Sequence, residues 1–279
     1  MVKLLLDRLV FAIWIMTILI QLATAQNVKS QNEIFAEEEW LRYKVKWGFI
    51  RLGSVEVIQQ RIGSARSGKF VVQIKLESAS LPFIKLYCVN RSILDSANPI
   101  NEYFNLFLDK DLQNITAYAF DRKNHKIYMS ATDHSDFIRS DTLNNIYVAY
   151  DAGGIFTMMR ILSAHDTTVY LPTLSEFQLK NTELIFTDKI KKLKVGAIDT
   201  SLSARYFEGT AHWIGTSWAG VKGPFSGWVS ADKAAVPLKM KMKISLGSVT
   251  LELEEFIREN WSPAENSILA NDTYAGSTD

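Results

Sequence analysis

A single cysteine, Cys88, stands in a chain of 279 residues. No intrachain disulfide and no cysteine-rich zinc site can be built from it. Charge of one sign is also missing: 31 Lys+Arg stand against 30 Asp+Glu, a formal net charge of +1. That balance denies the chain the clustered basic field that phosphate backbones attract, so nucleic acid is excluded as a partner. Beyond the first 25 residues there is no apolar run long enough to give a stable membrane span. What remains, 47% hydrophobic and 22% charged residues, is the mixture of a folded core, which fits neither a disordered tail nor a multispanning membrane protein.

The N-terminus supplies an address. Lys3 and Arg8 give a positive start, Leu9 to Leu22 is nearly all apolar, and Ala23-Thr24-Ala25 offers the small residues that signal peptidase requires. Residues 1–25 therefore read as a signal peptide. The alternative is an uncleaved anchor helix, but a run of about 14 apolar residues is short of the roughly 20 a bilayer needs. No cysteine follows to carry a lipid. Lys3, Asp7 and Arg8 leave with the peptide, so the mature chain is formally neutral. The expected location is periplasmic or secreted. In that oxidising setting Cys88, on a strand-like run with Ile84 and Leu86, reads as a buried, inert thiol.

Past a polar lead of Gln26 to Glu39, apolar and polar residues alternate repeatedly, the pattern of strands with one wet face. Tyr43, Val45 and Trp47 alternate with lysines. A turn region from Gly48 to Gly53 then leads to Val55 and Val57, which predicts a first hairpin. Phe70, Val72, Ile74 and Leu76 repeat the pattern. Asn98-Pro99 and Asp109-Lys110-Asp111 bracket another strand, and Asp121-Arg122-Lys123-Asn124 turns Asn114–Phe120 back into Lys126–Met129. Near the end, Met240, Met242 and Ile244 alternate with lysines before Gly247-Ser248. A two-residue turn there predicts Ile244 opposite Leu251 and Met242 opposite Leu253, with Lys243 across from Glu252 and Lys241 across from Glu254. The lysines read as a wet strand face. One helix is expected at Ala152–Ala164, capped by Asp151 and carrying Ile155, Met158, Met159 and Leu162 on one side. Gly153 and Gly154 weaken its first turn and read as allowing close packing of another backbone.

Three segments, in this order, resemble a bacterial envelope family catalogued as domain of unknown function 3108: Leu41-Arg42-Tyr43-Lys44-Val45-Lys46-Trp47-Gly48 with Gly53; Tyr150-Asp151-Ala152-Gly153-Gly154 leading to Arg160; and Gly227-Trp228-Val229-Ser230-Ala231-Asp232 with Pro237-Leu238 and the Gly247 hairpin. They span Trp40 to Phe256. The resemblance implies an exported, mainly β protein in the style of periplasmic lipoprotein carriers. The family has no established activity, so it transfers no catalytic residues. Gly153-Gly154 stands where the pattern leads one to expect a more polar helix start.

The fold expected is mainly β: a curved, largely antiparallel sheet, open or partly closed as a barrel, with one or two short helices. It forms a single domain over residues 26–262 and a loose tail over 263–279. The residues assemble no catalytic constellation: there is no Gly-x-Ser-x-Gly elbow, Asp133-His134-Ser135-Asp136 reads as a solvated turn, and His165 and His212 read as packing. No metal or cofactor is expected. Trp213, Trp218 and Trp228 lie in or beside the Gly-rich stretch Gly209–Gly227 and are the candidates to line an apolar ligand site, the alternative being that they fill the core of a sheet bent at glycines. The run Lys189–Lys194 reads as a wet strand face rather than a lipid contact. Four Asn-x-Ser/Thr sequons, at Asn90, Asn114, Asn260 and Asn271, carry meaning only in a eukaryotic secretory pathway. The functional expectation is a non-catalytic periplasmic binding or carrier protein for a lipid-like or hydrophobic envelope component. Its alternatives are a protein-interaction module in envelope or surface-polysaccharide assembly and an envelope glycan hydrolase. Intact-mass spectrometry of the exported protein is expected to show a chain that begins at Gln26; a species retaining residues 1–25 would support the anchor.

Overall fold

The computed structural model describes residues 34–263 apart from 64–67, 80–85, 98, 100, 108–114, 134–135, 176, 213–222 and 245–246. Residues 1–25, read above as a signal peptide, and all but the first residue of the 263–279 segment expected to form a tail lie outside the described residues.

Fourteen antiparallel strands form one sheet: β1 (Glu38–Trp47), β2 (Ile50–Ile62), β3 (Lys69–Ser78), β4 (Tyr87–Asp95), β5 (Asn101–Phe107), β6 (Ile115–Asp121), β7 (Lys126–Asp133), β8 (Asp136–Asn144), β9 (Thr167–Ser175), β10 (Gln178–Leu193), β11 (Leu202–Ala211), β12 (Gly223–Ser230), β13 (Pro237–Ile244) and β14 (Gly247–Arg258). One helix, α1 (Ala152–Leu162), falls between β8 and β9. The sheet is a meander in two arms, β1 to β8 and β9 to β14, joined where β1 pairs with β14. Alternation drives it: along β2 and β10 every second residue is buried through the central stretch.

The expected curved, mainly β architecture is present, and among the described residues its edge strands β8 and β9 share no hydrogen-bonded ladder. The arms meet instead through side chains. Tyr118, Ile127 and Met129 of β6 and β7 form a core with Ala149 and Leu174, against which Phe177 and Leu179 pack. The segment entering α1 straps to β9, with Tyr150 N–H donating to Pro172 O and Leu174 N–H to Tyr150 O, both at 2.8 Å. Curvature is eased at Gly227, where a Cβ would lie 2.7 Å from the Phe207 ring.

Two expected turns are shorter or displaced. The first hairpin turns at Gly48-Phe49, because Trp47 already pairs with Ile50, so Ile50 to Gly53 belong to β2 rather than to a loop. In the last hairpin Ile244 pairs with Gly247, Met242 with Val249 and Lys239 with Glu252. The turn thus lies two residues earlier than the Gly247-Ser248 reading, which keeps every side chain on its expected face. The glutamates of β14 find partners on other strands. Lys44 of β1 reaches Glu252 at 2.9 Å and Lys239 reaches it at 3.4 Å, while Glu254 is taken by Arg51 at 2.7 Å.

Helix α1 lies in the concavity, anchored by buried polar groups at both ends. At its start Asp151 caps Gly154 N–H at 2.8 Å and accepts from Asn90 Nδ2 at 3.0 Å and from Ser92 Oγ. Gly153 permits this approach, since a Cβ there would lie 2.8 Å from Ser92 Cβ and 3.4 Å from Val72 Cβ. In its last turn Arg160, 1% exposed, donates to both oxygens of Glu39 at 2.5 and 3.0 Å and to Ala234 O at 2.9 Å. Arg258 Nη1 also donates to Glu39. Glu39, read from sequence as the end of a polar lead, is instead fully buried in β1.

A buried carboxylate is tolerated only with its counter-charges in place. Glu39→Leu strips two buried guanidiniums of their partner and is expected to lower the unfolding free energy by about 3–5 kcal/mol. Arg160→Met should cost less, because Arg258 still neutralises Glu39. Urea unfolding of both variants checks the order; the reverse order would make helix anchoring, not charge pairing, the larger effect.

Candidate functional site

Between α1 and the concave face of the sheet lies a cavity of about 170 Å³. Val55 and Val57 of β2, Ile74 and Leu76 of β3, Leu184 of β10, Phe225 of β12, Met240 and Met242 of β13, and Leu251 of β14 supply the sheet side. Ala152, Ile155, Phe156 and Met159 supply the helix side. These are the inward residues of the period-two strands and one stripe of the helix, so the patterns that build the fold also build the cavity wall.

The polar residues in that wall turn their hydrogen bonds elsewhere. Tyr43 donates to Pro237 O at 3.0 Å, and burial holds its hydroxyl well above the ordinary tyrosine pKa. Thr182 Oγ1 lies 2.8 Å from Thr173 Oγ1. Cys88 is 4% exposed, and burial pushes its thiol up to about 12. Among the described residues, no carboxylate, histidine or basic side chain lines the cavity. A wall of this kind holds apolar matter by dispersion and exclusion of water. A cavity of about 150 Å³ with similar apolar lining stays dry in other proteins and takes up small apolar molecules.

Of the tryptophans singled out from sequence, Trp213 and Trp218 lie outside the described residues. Trp228 is placed away from the cavity: on β12 it alternates with Phe225 and Gly227 and occupies the opposite face of the sheet. There it packs on Tyr206 with ring centroids 5.1 Å apart, and Lys191 Nζ stands 4.0 Å above its ring. Lys189 covers Tyr206 at 4.8 Å, so this part of the lysine run lies along an outer strand face. Asp121, from the acidic turns, accepts from Asn124 at the β6–β7 turn, and His125 stacks on Tyr147 at 4.1 Å. The first residue of the Asn90 sequon is fully buried on Asp151.

The three sequence segments that prompted the family resemblance converge around α1. Tyr43 from the first, Asp151 and Arg160 from the second, and Ser230, Asp232 and Pro237 from the third all lie in or beside its anchors. Asp232 accepts from Ser230 Oγ, from the N–H groups of Ala234 and Ala235, and from Trp261 Nε1, which shapes the turn that presents Ala234 O to Arg160. Sequence reasoning missed Glu39, Asn90, Ser92 and Arg258. The only signal available was the density of polar residues inside strand-like runs.

No family model and no curated protein matches the chain. Among solved structures, the fold is similar to a β-barrel-like protein of domain of unknown function DUF1849 from Brucella abortus, with a TM-score of 0.55 at 8% identity, covering 81% of this chain and 99% of that one. A putative exported protein with YmcC-like fold from Bacteroides fragilis aligns over 80% of this chain and 96% of its own at a TM-score of 0.30 and 9% identity. The first likeness supports the β-barrel-like architecture.

Cys88 reports on the cavity wall. Its burial and raised pKa predict that a thiol reagent labels it only when the protein opens. The labelling rate at pH 8 is expected to follow the unfolding equilibrium as urea is added; prompt labelling in native buffer would contradict a closed wall.

Proposed function

We propose that this is an exported, non-catalytic binding or carrier protein of the bacterial envelope that takes an apolar chain of a lipid-like component between α1 and the concave sheet. The observation that carries the reading is the cavity: it is lined almost wholly by apolar side chains, and its few polar groups are satisfied elsewhere. The N-terminal signal pattern supports export, and the resemblance to the family catalogued as domain of unknown function 3108 supports the envelope setting. At about 170 Å³ the cavity is smaller than the roughly 300–1,000 Å³ of drug-sized ligand sites. It therefore takes an acyl segment or small hydrophobe rather than a whole lipid, unless α1 shifts outward.

A second reading, an interaction module in envelope assembly, has one observation in its favour. Edge strand β8 is exposed along almost its whole length, including Phe137 and Ile138, and presents an unpaired ladder of the kind a partner strand adds to. No observation favours a glycan hydrolase, which needs two carboxylates flanking a cleft.

The test is binding of the uncharged fluorophore N-phenyl-1-naphthylamine, displaced by a medium-chain fatty acid, with native mass spectrometry of the purified protein for retained lipid. Ala211→Phe, which places a ring into the cavity, is expected to reduce binding at least tenfold while leaving thermal unfolding cooperative. Unchanged binding in a folded Ala211→Phe protein, or no displaceable binding by the wild type, would sink the reading. A stoichiometric protein partner without lipid in a periplasmic pull-down would favour the second.

A further inference from the structure

The β1–β2 turn carries its apolar side chains outward. Phe49 is 95% exposed, Trp47 46% and Ile50 39%, while Gly48, at φ +58°, makes the two-residue turn possible. A tight hairpin with Trp and Phe at its tip is a projecting wedge rather than a flat patch. Trp47 leans back toward β14, its Nε1 3.3 Å from where a Cβ on Gly247 would stand, which leaves Phe49 as the projecting point of the tip.

The outer face beside this tip has a distinct charge pattern. Further down, Lys44 and Lys239 flank and share Glu252, and Arg51 is paired with Glu254. At the rim the acceptors change. Thr250, not a carboxylate, lies between Lys46 and Lys241, and Ser248 lies opposite Lys243. Among the described residues no carboxylate lies within ion-pair distance of Lys46, Lys241 or Lys243. The acidic residue lining the neighbouring hollow is Glu208, and its carboxylate accepts from Tyr206 at 3.0 Å. Three lysines thus border an exposed Trp-Gly-Phe-Ile tip.

We infer that this rim docks on an anionic lipid surface, with Phe49 and Ile50 entering the acyl boundary, Trp47 at headgroup depth and the three lysines among the phosphates. Aromatic tips favour that interface because the ring is apolar while the indole N–H stays wet. Lysines near it are attracted by anionic headgroups and weakened by salt. Charge complementarity selects an anionic bilayer over a neutral one. The inference does not depend on the cavity holding a ligand.

The test is co-sedimentation of protein purified from periplasmic extract, its N-terminus read by mass spectrometry, with vesicles of phosphatidylcholine alone or mixed with phosphatidylglycerol. The wild type is expected to bind the mixed vesicles and to be released by high salt. Phe49→Ser should weaken binding about tenfold or more through the lost apolar burial. Lys241→Ser with Lys243→Ser should weaken it by about fivefold per lysine. Ile257→Ser, an exposed apolar residue at the other end of β14, should bind as the wild type does. Both exposed-tip and lysine variants should melt as the wild type does. Failure of the wild type to sediment, equal binding to the two vesicle types, or wild-type binding by Phe49→Ser would each overturn the inference. A failed fluorophore test would leave it standing, so the two readings fail separately.

Discussion

One carboxylate, Glu39, holds three distant parts of the chain in a single arrangement. It sits in β1 and is shared by Arg160 of the helix and Arg258 at the end of β14, while Arg160 also reaches the β12–β13 turn through Ala234. Desolvating three charges is costly, and attraction offsets that cost only if all three arrive together. The β1–β14 junction, the seat of the helix and the turn shaped by Asp232 are therefore coupled. Burial lowers the Arg258 pKa while Glu39 raises it, the competition expected of a cation held in a low-dielectric site by its partner.

The second anchor explains why a cavity exists at all. Asp151, bound to Asn90 and Ser92 on β4, fixes the helix start as firmly as Arg160 fixes its end. With both ends held by directional polar contacts, the height of α1 above the sheet is set by those contacts and not by how closely Ile155, Phe156 and Met159 can settle onto the strands. Hydrogen-bonded ends and an unfilled middle are then two aspects of one geometry. Gly153 shows how tight the fit is at the polar end, where not even a methyl group has room.

Much of this was legible along the chain. Period-two alternation located β1, β2, β3, β13 and β14, the turn at Asp121–Asn124 marked the β6–β7 hairpin, and Asp151 before Ala152 marked the helix cap. The misses have physical causes. Sliding the β13–β14 pairing along by an even step keeps the apolar face apolar, so the hairpin alone does not select its register. In the register adopted, Lys239 shares Glu252 with Lys44 of a third strand, a partner the hairpin's own sequence does not reveal. Glu39 looked like part of a soluble lead because an acidic residue is ordinarily exposed; its burial depends on partners 121 and 219 residues away. Trp228 is not a miss of this kind, since composition leaves two readings of it open, cavity mouth and sheet packing. A tryptophan beside glycines has two sheet faces available, and only the pairing with Tyr206 says which one it takes.

The apolar space under α1, about 170 Å³ and partly open to solvent, has an energetic meaning: wall atoms that face it lack the dispersion contacts of a close-packed core. Larger side chains in place of Val55, Val57 or Ala211 would fill part of the space with ordinary residues. An apolar guest recovers the same dispersion contacts without such substitutions, and the wall accepts one without leaving a polar group unpaired. That asymmetry is what the proposed uptake of an apolar chain draws on.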